Sequence, residues 1–282
     1  MIGNRIKTTM LLAFLAVFFI AVGSLFGTTG LYIGLALAIL INFSSYWFSD
    51  KIVLKMHNAK EVSSGRLYDI TKDLAHKAKM PMPKVYMIQA PYPNAFATGR
   101  SPKHAAVAAT KQLMDILTDE ELAGVMAHEL SHVKHRDTLI QTIAVGITTA
   151  IAFAAEMMQW AMIFGFGGND EEGGVGSIVG TIALLILAPI IAMILQLAIS
   201  RQREYLADAG AVKLMKSPEP LIRALQKLES SVKASPSPAK TPAESLYIVN
   251  PFKGSMVASL FSTHPTTESR IKKMRELNIH KL

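Results

Sequence analysis

The chain has 282 residues, of which 50% are apolar, and it carries a formal net charge of +8 and no cysteine. The lack of cysteine excludes disulfide frameworks, thiol nucleophiles and cysteine-ligated structural zinc sites. The lysines and arginines are dispersed and are not interleaved with aromatic residues, which argues against a nucleic-acid partner. A basic chain with this much apolar sequence is instead expected to lie in a lipid bilayer, beside anionic headgroups.

Long apolar runs predict four transmembrane helices. They occupy residues 8–27, 31–48, 139–166 and 178–199. The first run holds 20 residues, and at 1.5 Å per residue it spans roughly 30 Å, the thickness of a bilayer core. A second run follows almost at once, so an uncleaved membrane hairpin fits this region better than a signal peptide does.

The distribution of charge predicts how these helices are oriented. None of the 29 basic residues lies in the connections 28–30 and 167–177, and the second connection is acidic. The positive-inside rule therefore places both termini and both large polar segments in the cytoplasm. This divides the chain into a membrane hairpin (1–50), a first cytosolic part (51–138), a second membrane hairpin (139–200) and a second cytosolic part (201–282).

Periodicity and turn signals predict a mixture of helices and short strands in the two cytosolic parts. The clearest helix begins after Thr118, which forms a capping-box pattern with Glu121, and it runs to about Asp137. The expected strands are 84–88, 94–98 and 105–110. Further helices are expected over 61–79, 111–117, 201–216, 217–232 and 266–277.

The helix that follows the capping box contains the sequence HELSH at 128–132, the H-E-x-x-H spacing of catalytic zinc sites. One helical turn separates His128 from His132, so both imidazoles lie on one face. Glu129 lies beside them, within reach of a water on the metal but not placed as a ligand. Chance gives roughly 0.01 such matches in a chain of this composition. His135 is roughly 10 Å from His128 along the helix axis and is not expected to share the ion.

A catalytic zinc ion usually has a third protein ligand, and Glu204 is the candidate. Glu204 follows the fourth apolar run and His132 precedes the third, so a membrane hairpin would make them neighbours. Asp208 lies one turn beyond Glu204 and is placed to accept a hydrogen bond from the second ring nitrogen of His128. Without the histidine motif these two acidic residues would be read as a solvated helix face. The adjacent Arg203 is expected to extend to lipid headgroups.

These motifs resemble those of the gluzincin class of zinc metallopeptidases. The order of spans and motifs resembles the HtpX proteases of the bacterial inner membrane, which are related to the CAAX prenyl-protein endopeptidases. Pro93–Ala97 and Ser262–Pro265 also match that family's pattern. The resemblance implies a mainly α-helical, integral membrane protein with four transmembrane helices and a cytosolic zincin-like α+β domain that has a small edge sheet. It also implies a heat-shock-linked endopeptidase that degrades damaged or misassembled membrane proteins.

Residue chemistry and the resemblance together give each candidate residue a role. One Zn²⁺ per chain suits two imidazoles and a carboxylate, because proteolysis needs no redox step. An edge strand could bind an extended polypeptide by backbone pairing, although an ordinary internal strand fits equally well. His264 is the candidate donor to the oxyanion, but its residue chemistry alone indicates an exposed loop histidine. The expected roles are metal ligands for His128, His132 and Glu204, catalysis for Glu129 and His264, orientation of a ligand for Asp208, and substrate binding for Asn94, Ala95, Phe96 and Ala97.

Other activities fit part of this pattern. An intramembrane protease would carry the histidine motif inside an apolar run, whereas charged residues surround the motif here. A non-catalytic membrane scaffold that keeps zinc for structure would have no use for a general base at Glu129. A CAAX-type prenyl-protein endopeptidase would differ from a protease of damaged membrane proteins only in its substrate.

Overall fold

The computed structural model describes residues 2–24, 27–141, 143–144, 201–234 and 265–277. Nearly all of the expected second membrane hairpin lies outside the described residues, and so does His264. The described part of the chain is mainly helical and contains one small sheet, as the sequence predicts, but the sheet has four strands where three were expected.

Two long helices begin the chain, α1 (Ile2–Ser24) and α2 (Gly27–Trp47), and they pack against each other. The stretch Gly27–Ser44 of α2 is long and apolar enough to cross a membrane, and only 17% of it is buried among the described residues. The apolar stretch of α1, Thr8–Ala21, is shorter. Among the described residues, one expected span therefore meets the length and composition of a transmembrane helix. The number of four spans stays a prediction.

The sheet places the expected substrate strand at its edge. Its strands are β1 (Lys60–Val62), β2 (Lys84–Ile88), β3 (Ala95–Thr98) and β4 (Ala106–Thr110), in the order β1-β2-β4-β3. β2 and β4 are parallel, and the two outer pairs are antiparallel. Because β3 ends this order, it is an edge strand of the described sheet.

The prediction of a helix over 61–79 is wrong for its first residues. Residues 60–62 form β1, and the helix, α4, begins only at Arg66 and ends at Lys77. Gly65 breaks the chain between them with a φ of 95°, which favours glycine. Glu61 also gains cross-strand partners, since its carboxylate accepts from the Tyr86 hydroxyl at 3.1 Å. Pairing with a distant strand thus outweighs the local helical periodicity.

The remaining helices surround the one that carries the histidine motif. They are α3 (Ser49–Met56), a 3₁₀ turn (Pro102–His104), α5 (Lys111–Ile116), α6 (Asp119–His135), α7 (Arg201–Met215), α8 (Glu219–Ala234) and α9 (Thr267–Glu276). α6 contacts α4, α7, α8 and β3. Its expected capping box is present, because Thr118 and Glu121 each bond to the other's backbone N–H. The histidine motif therefore lies on a helix that is packed on several sides.

The helix α6 ends about two residues earlier than expected. The helix ends at His135, and Arg136 adopts a left-handed conformation with a φ of 59°. The N–H of Asp137 donates to the carbonyl of His132 at 2.9 Å, and that of Arg136 donates to Val133 at 3.1 Å. These two bonds form a Schellman motif. The motif brings Asp137 over the last turn of the helix, next to His132.

Candidate metal centre

The three residues of the motif on α6 are buried. His128, Glu129 and His132 are 2%, 5% and 4% exposed. Polar groups at such depth need partners, because an unpaired one costs about 1–3 kcal/mol. The partners come from elements that are distant in the sequence, and they define the site.

Glu204 lies against both histidines. Its Oε2 is 3.6 Å from Nε2 of His128, and its Oε1 is 3.5 Å from Nε2 of His132. The two Nε2 atoms are 3.2 Å apart. Tetrahedral zinc with bonds of about 2.0–2.2 Å requires ligand atoms roughly 3.3–3.5 Å from one another. The two Nε2 atoms and the two oxygens of the Glu204 carboxylate therefore have spacings close to those of three ligands around one metal ion.

A close helix crossing brings Glu204 to the histidines. Gly210 of α7 lies against Ser131 of α6, and a Cβ at Gly210 would be 2.3 Å from the Ser131 hydroxyl oxygen. No larger residue fits this crossing without moving one helix away from the other. The small residue thus sets the distance between the histidines of α6 and the carboxylate of α7.

Asp208 supports His128 as the sequence predicts. Its Oδ1 is 2.9 Å from Nδ1 of His128, and Arg270 of α9 donates to both carboxylate oxygens at 2.9 and 2.6 Å. Burial raises the pKa of Asp208, but the charges and hydrogen bonds of Arg270 and His128 together outweigh burial, and the pKa is lowered. Burial likewise lowers the pKa of His128, yet hydrogen bonds to Asp208 and Glu204 outweigh burial and raise the pKa to about 9.

His132 has a matching pair of partners that the sequence analysis missed. Its Nδ1 is 3.2 Å from Oδ2 of Asp137, and Arg203 donates to Oδ1 of the same carboxylate. Arg203 is only 6% exposed, so the prediction that it extends to lipid headgroups is wrong. A buried carboxylate next to Arg203 holds the guanidinium inside the protein. The position of Asp137 two residues past the helix end is a sequence signal that could have identified it.

Glu129 lies between the histidines and the edge strand. Burial raises its pKa, while the neighbouring His128 and His132 and a backbone hydrogen bond from Ala97 lower it by less. The register explains this bond. The N–H of Thr110 donates to Asn94, and hydrogen-bonded pairs alternate along antiparallel strands, so Ala97 directs its backbone groups away from β4.

The C-terminal helix α9 brings Arg270 into the site and is attached to α7 by Tyr205. The Tyr205 hydroxyl is 2.7 Å from the Ser269 hydroxyl, and the ammonium of Lys273 lies 3.6 Å from the centre of the tyrosine ring. Sequence reasoning did not identify Arg270, whose partner Asp208 lies 62 residues earlier in the chain. Only the fold reveals that Arg270 is part of the site.

The structure brings together most of the residues that the sequence singles out. His128, Glu129, His132, Glu204 and Asp208 lie in one buried cluster. The strand expected over Asn94–Ala97 starts one residue later in the structure, and Asn94 instead bonds to Thr110. The roles of all these residues stay proposals.

The sequence model of peptidase family M48 matches residues 61–278, which include every element of this site. The chain belongs to peptidase family M48. It is therefore a metalloprotease, an enzyme that hydrolyses peptide bonds, and the arrangement of His128, His132 and Glu204 fits a bound metal ion.

Relatives named Protease HtpX homolog, which match nearly the whole chain, support the same assignment, and three examples follow. The protein from Thermodesulfovibrio yellowstonii is 50% identical over 278 residues, covering 97% of this chain and 98% of its own. That from Aquifex aeolicus is 49% identical over 261 residues, covering 90% and 86%. That from Syntrophotalea carbinolica is 46% identical over 279 residues, covering 98% and 99%. The chain is thus of the HtpX type within its family.

One solved structure shows a related fold. The crystal structure of Ste24p from S. mikatae aligns with a TM-score of 0.50 at 20% sequence identity. The alignment covers 97% of this chain and 66% of that one. At this identity the likeness concerns the fold.

Proposed function

We propose that this metalloprotease is a zinc-dependent endopeptidase of the bacterial plasma membrane, which degrades damaged or misassembled membrane proteins at the cytoplasmic face under stress. The observation that carries the proposal is the three-ligand geometry of His128, His132 and Glu204 beside the buried carboxylate of Glu129. The apolar length of α2 and the excess of basic residues support the membrane location. The HtpX-type relatives make membrane-protein substrates the first class to test.

The ligand residues would hold Zn²⁺ through Nε2 of both histidines and through the Glu204 carboxylate. The ion, when bound, would acidify a water molecule and polarise the scissile carbonyl. Asp208 accepts the Nδ1 proton of His128, so Nε2 is the nitrogen that would give up its proton and bind the ion. Arg270 keeps Asp208 charged and fixes its orientation.

Glu129 is the proposed general base. Its carboxylate takes the proton of the attacking water and delivers it to the amine nitrogen that leaves. Burial raises the pKa of Glu129 towards the range in which a carboxylate both accepts and returns a proton near neutral pH. The N–H of Ala97 fixes one side of this carboxylate.

We assign substrate binding to the edge of β3 that faces away from β4 in the described sheet. Ala95 and Ala97 alternate with the residues that bond to β4, so their backbone groups are directed to the edge where Glu129 lies. An extended substrate would pair with this edge and so place one peptide bond beside Glu129. His264, the proposed donor to the oxyanion, immediately precedes the segment 265–277, from which Arg270 reaches the site.

Substitution of Glu129 by glutamine tests the proposal. The Glu129→Gln protein should still contain one zinc per chain but should cleave a membrane-protein substrate about 10²–10⁴-fold more slowly, the usual contribution of a general base. Glu120→Gln is the matched control, since Glu120 is an exposed carboxylate of the same helix that pairs with Arg223. Both zinc content and cleavage should stay at the parental level in this control.

Two outcomes would contradict the proposal. Cleavage by Glu129→Gln at the parental rate would remove Glu129 from the chemistry, and cleavage by chelator-treated protein would remove the metal. Substrate class is tested by placing the protein in lipid vesicles and offering it either a misfolded membrane protein or a prenylated C-terminal peptide. Preference for the prenylated peptide would refute the role in membrane-protein degradation and leave the metalloprotease assignment intact.

A further inference from the structure

We propose that Asp137 is a positioning residue for His132, and that Arg203 fixes Asp137 in this role. The inference rests on the zinc site proposed above and extends it. It gives both ligand histidines, and not His128 alone, a carboxylate that is itself held by a buried arginine.

The contacts of Asp137 divide between its two oxygens. Oδ2 faces Nδ1 of His132 at 3.2 Å. Oδ1 accepts hydrogen bonds from Nε and Nη2 of Arg203 at 3.0 and 2.9 Å. With Oδ2 accepting the Nδ1 proton, His132 keeps its Nε2 lone pair for a bond to the ion that Glu204 would also hold. Asp137 therefore sets both the tautomer and the direction of the His132 ring.

The support of His128 uses the same chemistry with different elements. Asp208 lies on α7 and its arginine, Arg270, lies on α9. For His132 the carboxylate follows α6 and the arginine lies on α7. Each histidine thus has its own carboxylate and guanidinium, and each arginine comes from a different helix. This duplication distinguishes a built support from a chance ion pair.

The Schellman motif at the end of α6 explains how Asp137 reaches His132. In that motif the second residue past the helix lies over the residue near the last turn whose carbonyl it bonds, and the two usually make an apolar contact. Here that pair is Asp137 and His132, joined by the 2.9 Å backbone bond. A side-chain hydrogen bond replaces the apolar contact. The left-handed conformation of Arg136 makes this placement possible.

Burial gives Arg203 its part in the proposal. Asp137 is 2% exposed, and a carboxylate at that depth needs compensation of its charge. Arg203 supplies it from the residue next to Glu204, so one short stretch of α7 provides both a metal ligand and the anchor of this support. A purely structural ion pair between α6 and α7 is the competing explanation. It predicts loss of stability without a specific effect on metal affinity.

The test measures zinc affinity, by competition with a chromophoric chelator, for the full-length protein in detergent or nanodiscs. Asp137→Ala should weaken zinc binding about 10–100-fold, the usual effect of removing such a partner. Asp137→Asn keeps an acceptor for the Nδ1 proton, so its loss should be smaller, about tenfold or less, which is a partial rescue. Asp115→Asn is the control, because Asp115 forms an exposed pair with Lys111. Its zinc affinity should equal that of the parent.

Two further readouts separate positioning from structure. The visible spectrum of the cobalt-substituted protein should change in Asp137→Asn, since the ligand field follows the aim of His132, and melting of the metal-free protein reports stability alone. Parental zinc affinity and an unchanged cobalt spectrum in Asp137→Asn would overturn the proposal, whatever the melting temperature. If Asp137→Ala does not fold, Asp137→Asn decides alone. If the parental protein binds zinc at this site but cleaves no substrate, the proposed function is refuted and this inference is left intact.

Discussion

The crossing of α6 and α7 at Gly210 should be as important to the metal site as the ligands themselves. In Gly210→Ala the new methyl group would lie 2.3 Å from Oγ and 2.9 Å from Cβ of Ser131. Rotation of the serine hydroxyl relieves the first contact but breaks its 2.9 Å bond to the carbonyl of Ala127. The second contact cannot be relieved by rotation. It must open to about 3.4 Å, so the helices must separate by about 0.5 Å.

Two opposing terms set the size of the effect on stability. Overpacking costs about 1–3 kcal/mol, and replacing glycine by alanine inside a helix returns about 1 kcal/mol. We expect a net loss of up to about 2 kcal/mol, equivalent to a fall of up to about 6 °C in melting temperature. The displacement also exceeds the tolerance of about 0.2 Å on ligand distances in a metal site. Zinc affinity should therefore fall about tenfold as Glu204 moves away from the histidines.

The assay is thermal melting of the zinc-free protein together with the zinc competition titration. Gly124→Ala is the matched control. Its Cβ would lie 2.7 Å from the backbone nitrogen of Leu221, between α6 and α8, which carries no ligand. This control should lose stability and keep its zinc affinity. Adding Ser131→Gly to Gly210→Ala removes the atoms that the new methyl group contacts, and it should recover most of the affinity. The proposed role of this crossing is refuted if Gly210→Ala binds zinc as tightly as the parent does, or if the double variant recovers no zinc affinity.

Two other predictions concern the ends of α6. Burial raises the pKa of Glu121, but the hydrogen bonds from Lys227 and Thr118 and the charge of Lys227 together outweigh burial, and the pKa is lowered. The stabilisation is therefore present above the unfolded pKa of about 4.3 and disappears as pH falls through the lower folded value. Glu121→Gln should cost about 1 kcal/mol at pH 7, with melting curves that converge below about pH 4; a constant difference would contradict this. Arg136→Gly should melt at or slightly above the parental temperature, whereas Arg136→Val should lose about 1–2 kcal/mol in the left-handed conformation; equal melting of the two would refute the role of this turn.

Local signals predicted the parts of the fold that depend on neighbours in the sequence. The capping box at Thr118 and the spacing of the histidines placed α6 and its two imidazoles correctly. Strand β2 has the expected bounds, and β4 differs from its expected range by one residue. The strand over 60–62 could not be predicted in the same way. Its extended conformation depends on pairing with β2, about two dozen residues away, and no local pattern reports that partner.

The same distinction explains the candidate site. Glu204 and Asp208 were found because a known motif required a ligand and because one helical turn separates them. Arg203 was misread because a charged residue beside an apolar run has two destinations, a lipid headgroup or a buried partner. Its partner, Asp137, is 66 residues away. Sequence spacing carries no information about a contact of that length when the intervening chain is long.

The order of the site along the polypeptide has a consequence for the cell that makes it. Translation delivers the histidine helix first, and Arg270 emerges from the ribosome 142 positions after His128. A copy that has not yet reached Arg270 can present the base and all three ligand residues, but it lacks the guanidinium that holds Asp208. The site of a protease assembled from such separated stretches is therefore complete only when α9 has been synthesised and has packed against α7.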